Sequence, residues 1–198
     1  MNEQDSAVLE AAGRGDTAAV RAALAAGADL EARDAHGRTA LLLAAIGDHV
    51  EAARLLVADG ADPDAQDDRD DSPWLATGVT GSVAMMRVLL PAGPDLKQRN
   101  RFGGIALIPA SERGHVDYVR ALLRETDIDV DHVNQLGWTA LLEAVILGDG
   151  GPAHQEIVGL LLAAGAAPGL PDGDGVTALR HAEQRGFTRI ADALRDAG

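Results

Sequence analysis

The 198-residue chain is predicted to be an all-α solenoid of about six helix-turn-helix units, and three observations predict it. First, a segment opening on a polar turn returns at Asp34, Asp67, Asn100, Asn134 and Asp172. Its starts step by 33 (34 to 67), 33 (67 to 100), 34 (100 to 134) and 38 (134 to 172). Second, each segment carries two short apolar runs, the second with a Leu pair such as Leu55-Leu56, Leu89-Leu90 or Leu122-Leu123. Third, hydrophobic residues make up 46% of the chain but aromatics only 3%. The apolar surface therefore comes from Ala, Leu, Val and Ile, which suit close helix-on-helix packing.

Each part of the unit has a physical reason. Asp/Asn-x-x-Gly makes a tight turn, in which Gly37, Gly103, Gly137 and Gly175 take positive φ. Thr39, Ser72, Thr139 and Thr177 then stand where a helix needs an N-cap, and Pro73 follows Ser72 at the first helical position. The first helices are expected to begin near Thr39, Ser72, Ile105, Thr139 and Val176, with Ala44, Ala110, Ala144 and Ala182 at close-packed positions. Gly27, Gly60, Gly93 and Gly165 fit the left-handed C-cap of the second helix. An extended polar stretch leads on to the next turn. The opening stretch from Ser6 matches the pattern from its first helix onward. The expected layout is a single domain over 1–198. It has a capping unit at 1–33, then units 34–66, 67–99, 100–133 and 134–171 (with an inserted loop), and a C-terminal capping unit at 172–198.

These units resemble the ankyrin repeat, whose motif runs roughly D-x-x-G-x-T-P-L-H-x-A-A-x-x-G-H and then a helix ending L-L-x-x-G-A-D. The likeness covers nearly all of residues 6–198. It implies antiparallel helix pairs in L-shaped units, with β-hairpin fingers projecting sideways. It also implies a concave face of fingers and first helices that recognises proteins.

The departures from the motif are local. Thr-Pro-Leu-His becomes Thr39-Ala40-Leu41-Leu42, Thr139-Ala140-Leu141-Leu142 and Thr177-Ala178-Leu179-Arg180, so the bracing His is missing. In the fourth unit Ile105 replaces the capping Thr, and Pro109 falls inside the first helix. The second helix of that unit ends Arg124-Glu125-Thr126-Asp127, without a C-cap glycine. Drift offset by packing from the neighbouring units explains this better than a unit tuned for binding. The fifth unit carries about five extra residues within 147–156. Asp149, His154 and Glu156 there match no strong metal motif, and the stretch reads as a Gly/Pro connection.

The chemistry-bearing motifs are few. There is no Walker loop, G-x-S-x-G or H-E-x-x-H, and no cysteine, so thiolate chemistry, disulfides and Cys-zinc sites are excluded. His49 and His115 sit at the family's Gly-His position and read as packing at the helix junction. His36 and His132 fall on fingers, and His181 lies on the last unit. Trp74 and Trp138 open the first helices of their units. Either packs at a repeat interface or stands on the concave face as a binding anchor; Trp74 aligns with core Leu41. The formal charge is −14, which makes nucleic acid a poor partner and a protein with a basic patch a better one. The apolar runs are too short to span a bilayer, and no basic-then-apolar leader is visible, so a cytoplasmic location is expected. Arg in large excess over Lys (Lys97 alone) suggests a bacterial source.

The expected function is a protein-interaction module, adaptor or regulator: a non-enzymatic monomer without metal or cofactor. Its contact residues are expected to be Asp68, Arg69, Asp70, Arg99, Arg101, Phe102, His132, Gln135 and Trp138. The rival reading is a small-molecule binder or enzyme that uses the concave groove, which would need a deep pocket with converging polar groups.

Overall fold

The computed structural model describes residues 2–198 and contains twelve α-helices. They fall in two compact units, 1–101 and 102–198. The first holds α1 (Glu3–Arg14), α2 (Thr17–Ala25), α3 (Ala40–Ile46), α4 (Val50–Ala58), α5 (Pro73–Thr80) and α6 (Val83–Leu89), the last prolonged by a 3-10 turn, Leu90–Ala92. The second holds α7 (Leu107–Glu112), α8 (Val116–Glu125), α9 (Ala140–Ile146), α10 (Pro152–Ala163), α11 (Ala178–Gln184) and α12 (Thr188–Ala197). Within each unit the odd-numbered inner helices pack in a row, α1 on α3 on α5 and α7 on α9 on α11. The outer helices form a second row, with α4 against α2 and α6, and α10 against α8 and α12.

Helices of six or seven residues are too short to stand alone in water, so caps and burial hold them. Thr39, Ser72, Thr139 and Thr177 each accept a hydrogen bond from the amide three residues on, which contributes about 1 kcal/mol apiece. The last of these caps α11, which starts at Ala178, two residues past Val176. The inner helix of the fourth repeat differs. Ile105 is buried and gives no cap, so α7 begins only at Leu107 and is the shortest of the twelve. The second helix of that repeat ends without glycine because Thr126 closes it, its hydroxyl and amide both bonding Leu122 O. Fully buried Ala40, Ala44 and Ala45 in one unit, and Ala140 and Ala144 in the other, let inner helices approach closely around Leu41, Leu42, Leu141 and Leu142.

The fingers fold back without forming a ladder. A single antiparallel bridge, Pro171 with Thr177, is the only β pairing among the described residues. The opening Asp or Asn side chain accounts for this by capturing the amides that a ladder would use. Asp34 accepts from His36 N and Arg38 N at 2.8 and 3.0 Å, and Asn134 from Leu136 N and Trp138 N at 2.9 and 3.0 Å. Two backbone bonds close each turn: Asp34 N to Arg38 O at 3.0 Å and Gly37 N to Asp34 O at 3.1 Å, and Asn134 N to Trp138 O and Gly137 N to Asn134 O, both at 3.0 Å.

A carboxylate clamp ties successive fingers. Glu31 accepts from Asp62 N at 2.9 Å, and Asp64 from Asp95 N at 2.8 Å. Asp131 accepts from Ala167 N at 2.9 Å. The spacing is 31 residues twice and then 36, so the extra residues of the fifth repeat leave the clamp in register.

Candidate functional site

The exposed large apolar side chains are unevenly placed. Ile46 and Val79 lie on the inner helices α3 and α5, Phe102, Val133 and Leu136 on fingers, and Leu147 at the end of α9. None lies on an outer helix. Within each unit the most exposed large apolar side chains therefore lie on fingers and inner helices.

The expected contact residues are spread over both units. In the first, Asp68, Arg69, Asp70 and Arg99 are exposed. Asp70 takes φ 59, the left-handed conformation that Gly37 holds in the preceding turn. Arg101 lies 3.4 Å from Asp71, whose carboxyl is pushed up first by burial and then by Asp67. Gln66 donates to Arg99 O at 2.8 Å, so these two fingers are laced together by hydrogen bonds as well as by charge. In the second unit Phe102 and Gln135 are exposed and adjacent: Gln135 N donates to Phe102 O at 2.9 Å. This approach requires glycine at 103, where a Cβ would meet Gln135 Cγ at 2.8 Å and φ is +73°. His132 is half-buried, with Nε2 2.7 Å from Gly103 O, so its ring braces the finger. Trp138 is half-buried at the finger base. Trp74 is wholly buried, which settles it as core packing, as its alignment with Leu41 implies.

One residue on this face escaped sequence reading. Glu143, on α9, occupies the register position of Leu43, Ala76 and Pro109, yet is 5% exposed. Its Oε1 accepts from Asn134 Nδ2 at 2.9 Å. Burial and the nearby Glu112 carboxylate push its pKa up to about 7, against a partial correction from Asn134. Next along the inner row, His181 Nε2 meets Asp172 at 2.6 Å in the same register. Hydrogen bonds from Val176 N and then from His181 hold the Asp172 carboxyl below its usual range. A Glu in so acidic a chain draws no notice; only its register against three apolar residues marked it.

The insertion in the fifth repeat returns a histidine to a conserved-geometry contact within the fold. In the first unit His49 Nε2 lies 3.1 Å from Gly13 O, at the end of α1. In the second, His154 Nε2 lies 2.9 Å from Glu112 O, the corresponding place at the end of α7. Its Nδ1 lies 2.8 Å from Asp149, whose carboxyl is held low first by the Gly151 amide and then by this ring. Glu156 points elsewhere and pairs with Arg120, so the three metal suspects do not converge. No group of three metal-ligating side chains occurs among the described residues.

An open depression of about 340 Å³ lies beside α1 and α3, lined by Ser6, Leu9, Glu10, Gly13, Asp34 and Leu43. Its polar groups are engaged locally: Ser6 with Asn2 O, Glu10 with Arg14, and Asp34 with Arg38. No helix is long and apolar enough to cross a membrane among the described residues.

A family model for ankyrin repeats (three copies) matches residues 1–67 and 74–172. The chain is 43% identical over 190 residues to the ankyrin repeat protein YahD of Escherichia coli (strain K12), spanning 96% of this chain and 94% of YahD. The structure is similar to an ankyrin repeat domain from Acinetobacter baumannii AYE, with a TM-score of 0.92 and 47% identity. That match covers 96% of this chain and 97% of the other. It is also similar to the ankyrin repeat protein EF0377, with a TM-score of 0.93 and 39% identity over 98% of both chains.

Proposed function

The chain belongs to the ankyrin-repeat family, generally a family of non-enzymatic protein-interaction modules, and from that premise we propose that it is an adaptor or regulator binding a protein partner through its finger and inner-helix face. The supporting observation is the placement of exposed large apolar residues on fingers and inner helices, with none on an outer helix. Exposed apolar groups kept to one class of element within each unit support an interaction role for that element. The formal charge of −14 favours a partner with a basic patch. The contact set proposed for the partner is Asp68, Arg69, Asp70, Arg99 and Arg101 on fingers of the first unit and Phe102, His132, Gln135 and Trp138 in the second. His132 also braces its finger. The proposed state is a cytoplasmic monomer without cofactor.

The test is affinity capture from the source organism, followed by quantitative binding of the captured partner to surface variants. Ile46→Asp with Leu136→Asp on the proposed face is expected to cost at least about tenfold in Kd. Arg54→Glu with Arg124→Glu on outer helices is expected to leave binding unchanged. The reverse ranking overturns the reading.

A further inference from the structure

Two successive fingers, those opening at Asn100 and Asn134, break a polar pattern that the other three keep at the tip. The tip residue, two past the opening Asp or Asn, is His36, Arg69 or Asp174 in three repeats. In the remaining two it is Phe102 and Leu136, 50% and 53% exposed. The residue just before the opening Asp or Asn is Arg33, Gln66 or Arg99 in the first unit. Arg33 donates to Gly37 O and Gln66 O, and Gln66 donates to Asp70 O and Arg99 O. Val133 stands in that position in the second unit, can donate nothing from its side chain, and is 50% exposed. At the finger base Arg38 pairs with Asp34 at 2.7 Å, where the second unit has half-buried Trp138. Positions that are solvated or bonded in other fingers are thus apolar here. Gln135 N bonds Phe102 O at 2.9 Å, so the backbones of these two fingers lie side by side next to Phe102 and Leu136.

The surroundings of the patch are acidic. Asp127, Asp129 and Asp131 lead up to Val133 along the chain, and half-buried Glu112 ends the inner helix α7. Glu143 on α9 adds little to this charge, since it is 5% exposed, is met by the Asn134 amide and has its pKa pushed up to about 7 by burial. Of the nearby cations, Arg101, which precedes Phe102, lies 3.4 Å from Asp71, Arg180 faces Glu183, and Arg185 is spent on Val145 O and Ile146 O and on the Phe187 ring, 4.6 Å from its centroid.

We propose that this face of the second unit docks a short peptide segment of a partner protein, with Leu, Met or aromatic anchors seated on Phe102, Val133, Leu136 and Trp138 and Lys or Arg residues flanking them. The assignment rests on the protein-binding reading above and names the chemistry of its partner. Apolar anchors supply the affinity, and the acidic surround selects against acidic segments by like-charge repulsion.

The probe is a phage-displayed library of random twelve-residue peptides selected on the full-length protein. Binding of the recovered peptides is then measured by titration. The expected result is recovery of peptides enriched in both large apolar and basic residues. Phe102→Asp with Leu136→Asp should weaken them at least about tenfold. Asp127→Asn with Asp129→Asn should weaken basic peptides several-fold and leave their neutral analogues unchanged, with folding of each variant verified by its melting transition. Recovery of acidic peptides, or of apolar peptides indifferent to both variants, overturns the proposal. Peptides lost instead on Asp68→Lys in the first unit would retain the protein-binding reading and overturn this assignment. Recovery of no peptide on either unit would count against both.

Discussion

At the scale of single residues, Glu143 costs stability that a neutral side chain would not. Its carboxyl holds a proton more tightly in the folded chain (about 7) than at its ordinary value of 4.5. Between these values the folded state binds more protons than the unfolded state, so stability falls as pH rises. The cost is absent below about pH 4.5 and complete above about pH 7. Converted fully, such a shift is about 3 kcal/mol, and solvent reaching the finger base reduces it to the order of 1–2 kcal/mol. Glu143→Gln removes the titration and keeps an acceptor for Asn134. The difference in unfolding free energy, variant minus native, should therefore grow from pH 5 to pH 8 in denaturant titrations; a flat difference refutes the account. Asp34, Asp149 and Asp172, whose carboxyls are held low, act with the opposite sign. Their stabilisation is lost as pH falls through their depressed values, outside this window. The turn glycines and capping Thr and Ser residues were legible in the sequence because each answers a backbone requirement within four residues. Glu143 was not, because its burial depends on what α7 and the finger at Asn134 place around it.

At the scale of helices, the fourth repeat is built differently from its neighbours. Its inner helix α7 has six residues, no side-chain cap and Pro109 within it, while Ile105 is buried where Thr39, Ser72, Thr139 and Thr177 cap their helices. A missing cap costs about 1 kcal/mol, and solenoid stability is roughly a sum of local and nearest-neighbour contributions. Native-state hydrogen exchange is therefore expected to show α7 less protected than α9. Ile105→Thr has two opposed effects. It restores a cap but removes a buried apolar side chain, a loss of about 1.5–3 kcal/mol. The structure thus reverses what the cap alone suggests: Ile105→Thr should lower the melting temperature. A rise would show that the cap outweighs the burial. The repeat period predicted the helix pairs and the irregular unit. It could not predict that Ile105 becomes core, since the residue fills a capping position in the aligned pattern. By sequence the insertion is a plain Gly/Pro connection, and the return of His154 to the carbonyl contact made elsewhere by His49 is invisible to alignment. The extra residues move that histidine out of sequence register while the fold keeps it in spatial register.

At the scale of the whole molecule, charge governs encounter more than fold. The chain carries 31 acidic and 17 basic residues; Asp68, Asp70 and Arg99 show no side-chain ion pair among the described residues, while Arg101 meets Asp71 at 3.4 Å. An exposed pair of that kind contributes about 0–1 kcal/mol, so Arg99→Glu with Arg101→Glu should shift unfolding free energy by less than that. Asp68→Lys with Asp70→Lys is not equally benign. Asp70 sits at φ 59, a conformation Asp tolerates better than Lys, which adds a strain of about 1 kcal/mol. The two double variants move the formal charge in opposite directions, from −14 to −18 for the glutamates (two changes of −2) and to −10 for the lysines (two changes of +2). Association with a basic protein partner should then be faster for the first and slower for the second. Both differences should shrink as salt is raised from about 0.01 M to about 1 M, because the screening length falls from about 30 Å to about 3 Å. Stopped-flow association rates at several ionic strengths measure this directly. If Arg99 and Arg101 instead touch the partner, the glutamate variant will bind more slowly or dissociate faster despite its more favourable net charge. That sign distinguishes a local contact at this finger from long-range steering by the acidic molecule as a whole.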